Sequence, residues 1–233
     1  MMHLSNDDST YPLLTASVVN YLPGVWPVVY PEGIGGWHMP RKGHFFLKDI
    51  HYGPSPLEVY DSSYINVYFA PKPPKRKIME IQMGTLGVSP VEPPLYIPAN
   101  EKKKFITRLR APMDLSILTI NPHMHLLGVS FKAYALTPSG DTIRLIHIPR
   151  WDFRWQYFYT FPKMVRIPRD SWIIAEGVFD NTSANPLNPN DPPKGIGERS
   201  GSMRTSDEMF QFIINYLPYK EGDEKISLQT KID

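Results

Sequence analysis

The chain has 233 residues, 42% hydrophobic and 21% charged, which excludes a disordered tail and leaves room for one or two globular domains. Its 25 prolines, set against 15 glycines with no three-residue period, exclude collagen and disfavour long helices, so an all-β fold is expected. A net charge of +2 gives no electrostatic case for a nucleic-acid or membrane partner, and the lack of cysteine removes disulfides, cysteine zinc sites, iron–sulfur ligation and thiol nucleophiles.

Residues 1–20 show neither a basic start with an apolar run nor a small-residue cleavage site, so no export signal is expected in this chain. Short β-rich runs follow at 16–21, 45–52 and 64–69, separated by Gly33, Gly35 and Gly36 and by Gly53-Pro54-Ser55-Pro56. Pro90, Pro93, Pro94 and Pro98 then interrupt ladder formation, which divides the chain into a thin first domain, 1–90, and a second, 91–233. Within the second, strands are predicted at 104–109, 115–127, 130–136, 143–148, 153–158, 164–167, 172–179 and 210–217. Turns at Pro138-Ser139-Gly140-Asp141 and Pro168-Arg169-Asp170 complete the rhythm of a sandwich or jelly roll. The polar stretch 181–206 reads as functional or disordered, and the tail after Tyr219 as frayed.

Side chains alternate across a strand, so parity sorts 115–127 into two faces. Leu118, Ile120, Pro122, Met124 and Leu126 make one face apolar, while Asn121, His123 and His125 share the other. Two imidazoles in H-x-H spacing on a strand can converge on one metal ion. Along 210–217, Phe210, Phe212, Ile214 and Tyr216 form the apolar face, and Met209 falls in line with Gln211, Ile213 and Asn215. A methionine directed out of the core can serve as a thioether ligand, soft enough to select copper, especially Cu(I). Solvated strand histidines and a gap-filling methionine are the plain alternatives.

Other features have similar pairs of readings. The alternating aromatics Trp151, Phe153, Trp155, Tyr157 and Tyr159 could stack a sugar or line a half-buried strand. Asp207 and Glu208 could orient a histidine, but read first as solvated acids at a loop-to-strand junction. The basic runs 72–77 and 102–104 read as solvated turns.

Pro122-His123-Met124-His125-Leu126-Leu127-Gly128, Ser130-Phe131-Lys132-Ala133-Tyr134, Trp151-Asp152-Phe153-Arg154-Trp155-Gln156, Asp180-Asn181-Thr182, Asn185-Pro186 and Thr205-Ser206-Asp207-Glu208-Met209 occur in that order. Together, over about 91–217, they resemble the carboxy-terminal domain of the copper type II, ascorbate-dependent monooxygenases, the family of the peptidylglycine α-hydroxylating and dopamine β-monooxygenases. The resemblance implies two jelly-roll-like β-sandwich domains, with an oxygen-activating copper held by His123, His125 and Met209. It also implies ascorbate as electron donor, dioxygen and a small organic molecule as substrates, and an extracytoplasmic location.

The family's electron-transfer copper is held by three histidines of the first domain. Asp49-Ile50-His51-Tyr52-Gly53 resembles the segment supplying the last of them, so His51 is its candidate remnant. The adjacent His-His pair has no counterpart, and His3, His38 and His44 do not match its spacing. The first domain is therefore expected to be incomplete, as though the chain began halfway through it, and turnover impaired. Where the peptide-amidating members carry an arginine, an asparagine and a tyrosine for the substrate carboxylate, this chain has Asn121, Gln211 and Ile213, which argues against a glycine-extended peptide. Two rivals stay open: a non-catalytic β-sandwich module binding carbohydrate or protein, and a mononuclear zinc protein. The substrate and the oligomeric state are not legible in the sequence.

Overall fold

The structure, a computed structural model, describes residues 2–5, 17–19, 28–38, 44–47, 52, 55–67, 69–197 and 204–229. All regular elements among them are β, apart from one 3-10 turn at Asp223–Lys225, and no helix is long and apolar enough to cross a membrane. The chain separates into two compact units, one of 1–21 with 32–78 and one of 22–31 with 79–233.

In the first unit β1 (Met2–Ser5) lies between β2 (Ser17–Val19) and β3 (His44–Leu47), antiparallel to both. The strand expected at 64–69 is not formed: its described residues are irregular, and Tyr64, Ile65, Val67 and Phe69 are exposed. β-branched and aromatic residues favour a strand only where a neighbouring strand supplies partners, and none pairs with this run among the described residues.

The second unit begins with β4 (Met79–Gly84), β5 (Val91–Glu92), β6 (Tyr96–Ile97), β7 (Lys102–Arg110), β8 (Leu115–Met124), β9 (Gly128–Leu136) and β10 (Thr142–Ile148). It continues with β11 (Tyr159–Ile167), β12 (Trp172–Asp180), β13 (Ile196–Gly197) and β14 (Phe210–Pro218). One sheet has the order β10-β9-β12-β7-β5 and the other β11-β8-β14-β4, and the unit is a β-sandwich; β13 and β6 form a small separate ladder. β4, upstream of the proline-rich stretch, pairs with β14 and belongs to this unit.

Burial of aromatic and aliphatic side chains between the two sheets holds the sandwich together. Phe131 of β9 meets Phe210 and Phe212 of β14 at ring-centroid distances of 5.6 and 5.8 Å, and Phe179 of β12 meets Phe210 at 6.0 Å. Glycine is needed where β4 ends: Gly84 has φ +83°, and a Cβ there would stand 2.0 Å from the Phe210 carbonyl oxygen. Thr85 closes that corner, its N–H donating to the Phe210 carbonyl at 2.8 Å and its Oγ1 accepting from the Phe210 N–H at 3.1 Å.

One further expectation differs from the structure, and of the two readings of the polar stretch 181–206, disorder does not hold for 181–197. Residues 153–158 form a turn and an extended connection, and β11 begins only at Tyr159. Arg154 is instead drawn back onto Asp152, which accepts from its backbone N–H at 2.9 Å and pairs with its guanidinium at the same distance. Residues 181–197 are tied down by asparagine amides. The Asn181 amide donates to the carbonyls of Ile97, Pro98 and Lys194, and its oxygen accepts from Asn188.

Candidate metal centre

The residues singled out by parity lie on two neighbouring strands or one step beyond their ends: His123 is in β8, His125 follows it, and Met209 precedes β14. β8 pairs antiparallel with β14, with Met124 opposite Phe210, His123 opposite Gln211, Pro122 opposite Phe212 and Asn121 opposite Ile213. Paired residues share a face. Met124, Phe210, Ile120, Phe212 and Ile214 accordingly fill the core, and Asn121, His123, Gln211 and Ile213 take the other face. Met209 precedes Phe210, so it sits one step past the last pair, level with His125 one step past Met124. Its side chain is 2% exposed, yet it is not part of the hydrophobic cluster that fills the sandwich.

The two imidazoles are 5.1 Å apart between ring centroids, with their planes at 89°, and the edge of Phe153 packs on His125 at 5.8 Å. Each ring is held at Nδ1. His125 Nδ1 donates to the Asp207 carbonyl at 2.8 Å, and His123 Nδ1 contacts Gln156 Oε1. The Gln156 amide is oriented by its own Nε2, which donates to the Phe153 carbonyl at 2.7 Å, so it offers His123 its oxygen. Both histidines therefore carry a proton on Nδ1. A ligating histidine with its other N–H on a carbonyl is the usual arrangement around a protein-bound metal.

Glu208 departs from what its place at a loop-to-strand junction leads one to expect. It is not a solvated acid: it is 1% exposed, and its carboxylate accepts three backbone N–H groups. Leu127 donates to Oε1 at 2.7 Å, and His125 and Met209 donate to Oε2 at 3.1 and 3.3 Å. Burial pushes its carboxyl up to about 8, against the pull of those three donors toward the charged form. A signal was present, because Glu208 falls in line with Phe210 and Phe212 on the core-facing side. Asp207 contributes through its backbone carbonyl.

Asn121 and Gln211 lie beside the histidines with their amides engaged: Asn121 Nδ2 donates to the Tyr157 carbonyl at 2.8 Å and Gln211 Nε2 to that of Thr85 at 2.7 Å. The same face carries Thr119, whose hydroxyl bonds that of Tyr30 at 2.7 Å. The aromatic run divides: Phe153 packs on His125, while the rings from Trp155 onward pack on one another. Gln156 points to His123, whereas Trp155, Tyr157 and Tyr159 stack on one another at 4.6 and 6.3 Å, and Tyr159 packs against the core.

His51 lies outside the described residues. His38 is exposed, and His3 and His44 are on strands β1 and β3. No group of three His, Cys, Asp or Glu side chains among the described residues could hold a metal ion. The candidate centre is a different donor set, two imidazoles and a thioether. Compared with family models and with curated proteins, the chain matches none.

Proposed function

We propose that the second unit is a copper-dependent monooxygenase module that hydroxylates a C–H bond of a small organic molecule, with dioxygen as oxidant and ascorbate as reductant. What carries the reading is the β8–β14 register, which brings His123, His125 and Met209 to the same face at the same end of two adjacent strands. The donor chemistry fits: two neutral imidazoles presenting Nε2 and one soft thioether favour Cu(I) over zinc and over hard cations. Copper bound there would supply dioxygen activation, in which one oxygen atom enters the substrate, the other leaves as water, and two electrons come from ascorbate.

The chain's own residues have three tasks in this reading. Gln156 and the Asp207 carbonyl keep the Nδ1 protons in place and fix both rings. Phe153 and the half-buried setting of His123 exclude water from one side of the centre. Asn121 and Gln211, in place of a cation, suit a substrate whose polar group is neutral, because a carboxylate would lack a charged partner. An extracytoplasmic location and a remnant electron-transfer copper at His51 belong to the same proposal.

Anaerobic titration of the full chain with Cu(I) tests it. One ion per chain is expected, bound at least tenfold more weakly in His123→Ala and Met209→Ala; unchanged binding in both variants would sink the proposal. The exposed Trp155 ring, 61% accessible and 4.6 Å from Tyr157, favours the second reading, a β-sandwich that binds carbohydrate or protein without catalysis. Oxygen consumption with ascorbate and copper separates the two, since such a module consumes no more than free copper does.

A further inference from the structure

We propose that Glu208 is a positioning residue that clasps the end of β8 to the start of β14 and so sets the separation of His125 from Met209. The proposal rests on the copper reading for its purpose, but the clasp itself is a property of the polypeptide.

The regular ladder between β8 and β14 stops at Met124 and Phe210. Beyond it the chain must leave the sheet to reach β9, so the backbone donors of 125–127 lose their strand partner. Buried N–H groups without an acceptor are costly. The Glu208 carboxylate takes over the role of the missing strand: one oxygen receives Leu127, the other receives both His125 and Met209. The adjacent Asp207 carbonyl receives His125 Nδ1, and Glu208's own N–H donates to the Gly197 carbonyl at 3.4 Å.

His125 is thus fixed at its backbone and at its ring by the two residues immediately before Met209. The Glu208 side chain touches both ends of the proposed ligand set, at the His125 and the Met209 backbone N–H. Packing alone does not account for a glutamate here. A leucine would fill similar volume without burying an acid, whereas three converging donors call for an acceptor with two oxygens.

Two substitutions separate positioning from packing. Glu208→Leu keeps the volume and removes both acceptors; Glu208→Gln keeps one acceptor and turns an amide toward the remaining donors. In the unmodified protein, hydrogen exchange should find the amides of His125, Leu127 and Met209 protected like those of β12. In Glu208→Leu they should exchange at least tenfold faster while β12 is unchanged, with Glu208→Gln in between. Loaded anaerobically with Cu(I), Glu208→Leu should bind ~10–100-fold more weakly, and its X-ray absorption should keep nitrogen scattering but lose sulfur.

Unprotected amides in the unmodified protein would overturn the clasp, as would a Glu208→Leu variant that retains protection, affinity and sulfur scattering. If Glu208→Leu does not fold, Glu208→Gln and the unmodified protein still decide the matter through exchange. Failure of the unmodified protein to bind Cu(I) would remove the copper reading and leave the exchange result standing by itself.

Discussion

The two histidines are held in different ways, and the difference is measurable one residue at a time. His125 is gripped at its backbone and ring by residues 207–208, whereas the ring of His123 is held by Gln156 from the connection before β11. Gln156→Leu should therefore disturb one imidazole only. Cu(I) affinity is expected to fall ~10–100-fold, with sulfur scattering retained, the opposite spectroscopic outcome to Glu208→Leu. A Gln156→Leu variant that binds as tightly as the unmodified protein would show that His123 needs no such anchor. At this scale the placement of the histidines and the methionine relative to the core was legible in the sequence. Parity alone placed His123, His125 and Met209 on non-core faces, because two strands packed on one apolar surface leave no choice of register. Glu208 is less legible, because acids near a loop are ordinarily solvated, and only its alignment with Phe210 marks it as core-facing. Gln156 carried no signal, since an amide among aromatics looks the same whether it faces water or an imidazole.

Among the elements, β7, β8, β9, β10, β12 and β14 coincide closely with the runs expected from alternation, which is strongest where one face is continuously apolar. β4 escaped notice although Met79, Ile81 and Met83 alternate with Glu80 and Gln82, because proline spacing downstream drew the division past it. Residues 153–158 show the converse: aromatic density without a strand, since Asp152 captures Arg154 in a turn. Two glycines mark places where β-strands approach closely. A Cβ on Gly177 of β12 would lie 2.8 Å from the Phe210 ring and 3.1 Å from the Met124 sulfur, both able to shift. On Gly84 it would strike the Phe210 carbonyl, which is backbone, at a positive φ. Gly177→Ala is expected to cost about 1–3 kcal/mol as overpacking, and Gly84→Ala more, because strain in the left-handed region adds to it. Thermal melting should rank them in that order; a milder Gly84→Ala would contradict the account of that corner.

For the whole molecule, the end of the sandwich opposite the histidines carries its own electrostatic fastening. Asp114, nine residues before His123 and thus about 30 Å away along an extended strand, accepts the Arg169 N–H at 2.8 Å and the Arg166 guanidinium at 2.7 Å. Its carbonyl accepts the Tyr219 N–H at 3.0 Å, and the Arg166 guanidinium lies 4.3 Å from the centre of the Tyr219 ring. The Arg169 N–H first, and then Arg166, hold its carboxyl below the ordinary value of 3.8. A carboxyl depressed in the folded state stabilises it fully above the unfolded value, and the contribution disappears as pH falls through the folded one. Asp114→Asn should lower the melting temperature at pH 6, and the gap to the unmodified protein should close as pH falls toward 3. A gap independent of pH would assign the effect to shape instead of charge.

The sandwich also places an optical probe beside the end that carries the two histidines. Trp151 is buried against Phe131, its backbone N–H donates to the Val129 carbonyl, and its Cδ1 would lie 3.0 Å from a Cβ on Gly128, where the chain completes the turn after His125. Its indole nitrogen has no hydrogen-bond partner, so the ring emits from dry hydrocarbon, while Trp155 and Trp172 face solvent. Iodide should quench the exposed Trp155 and Trp172 before the buried Trp151, whose ring lies beside the turn that carries the second histidine.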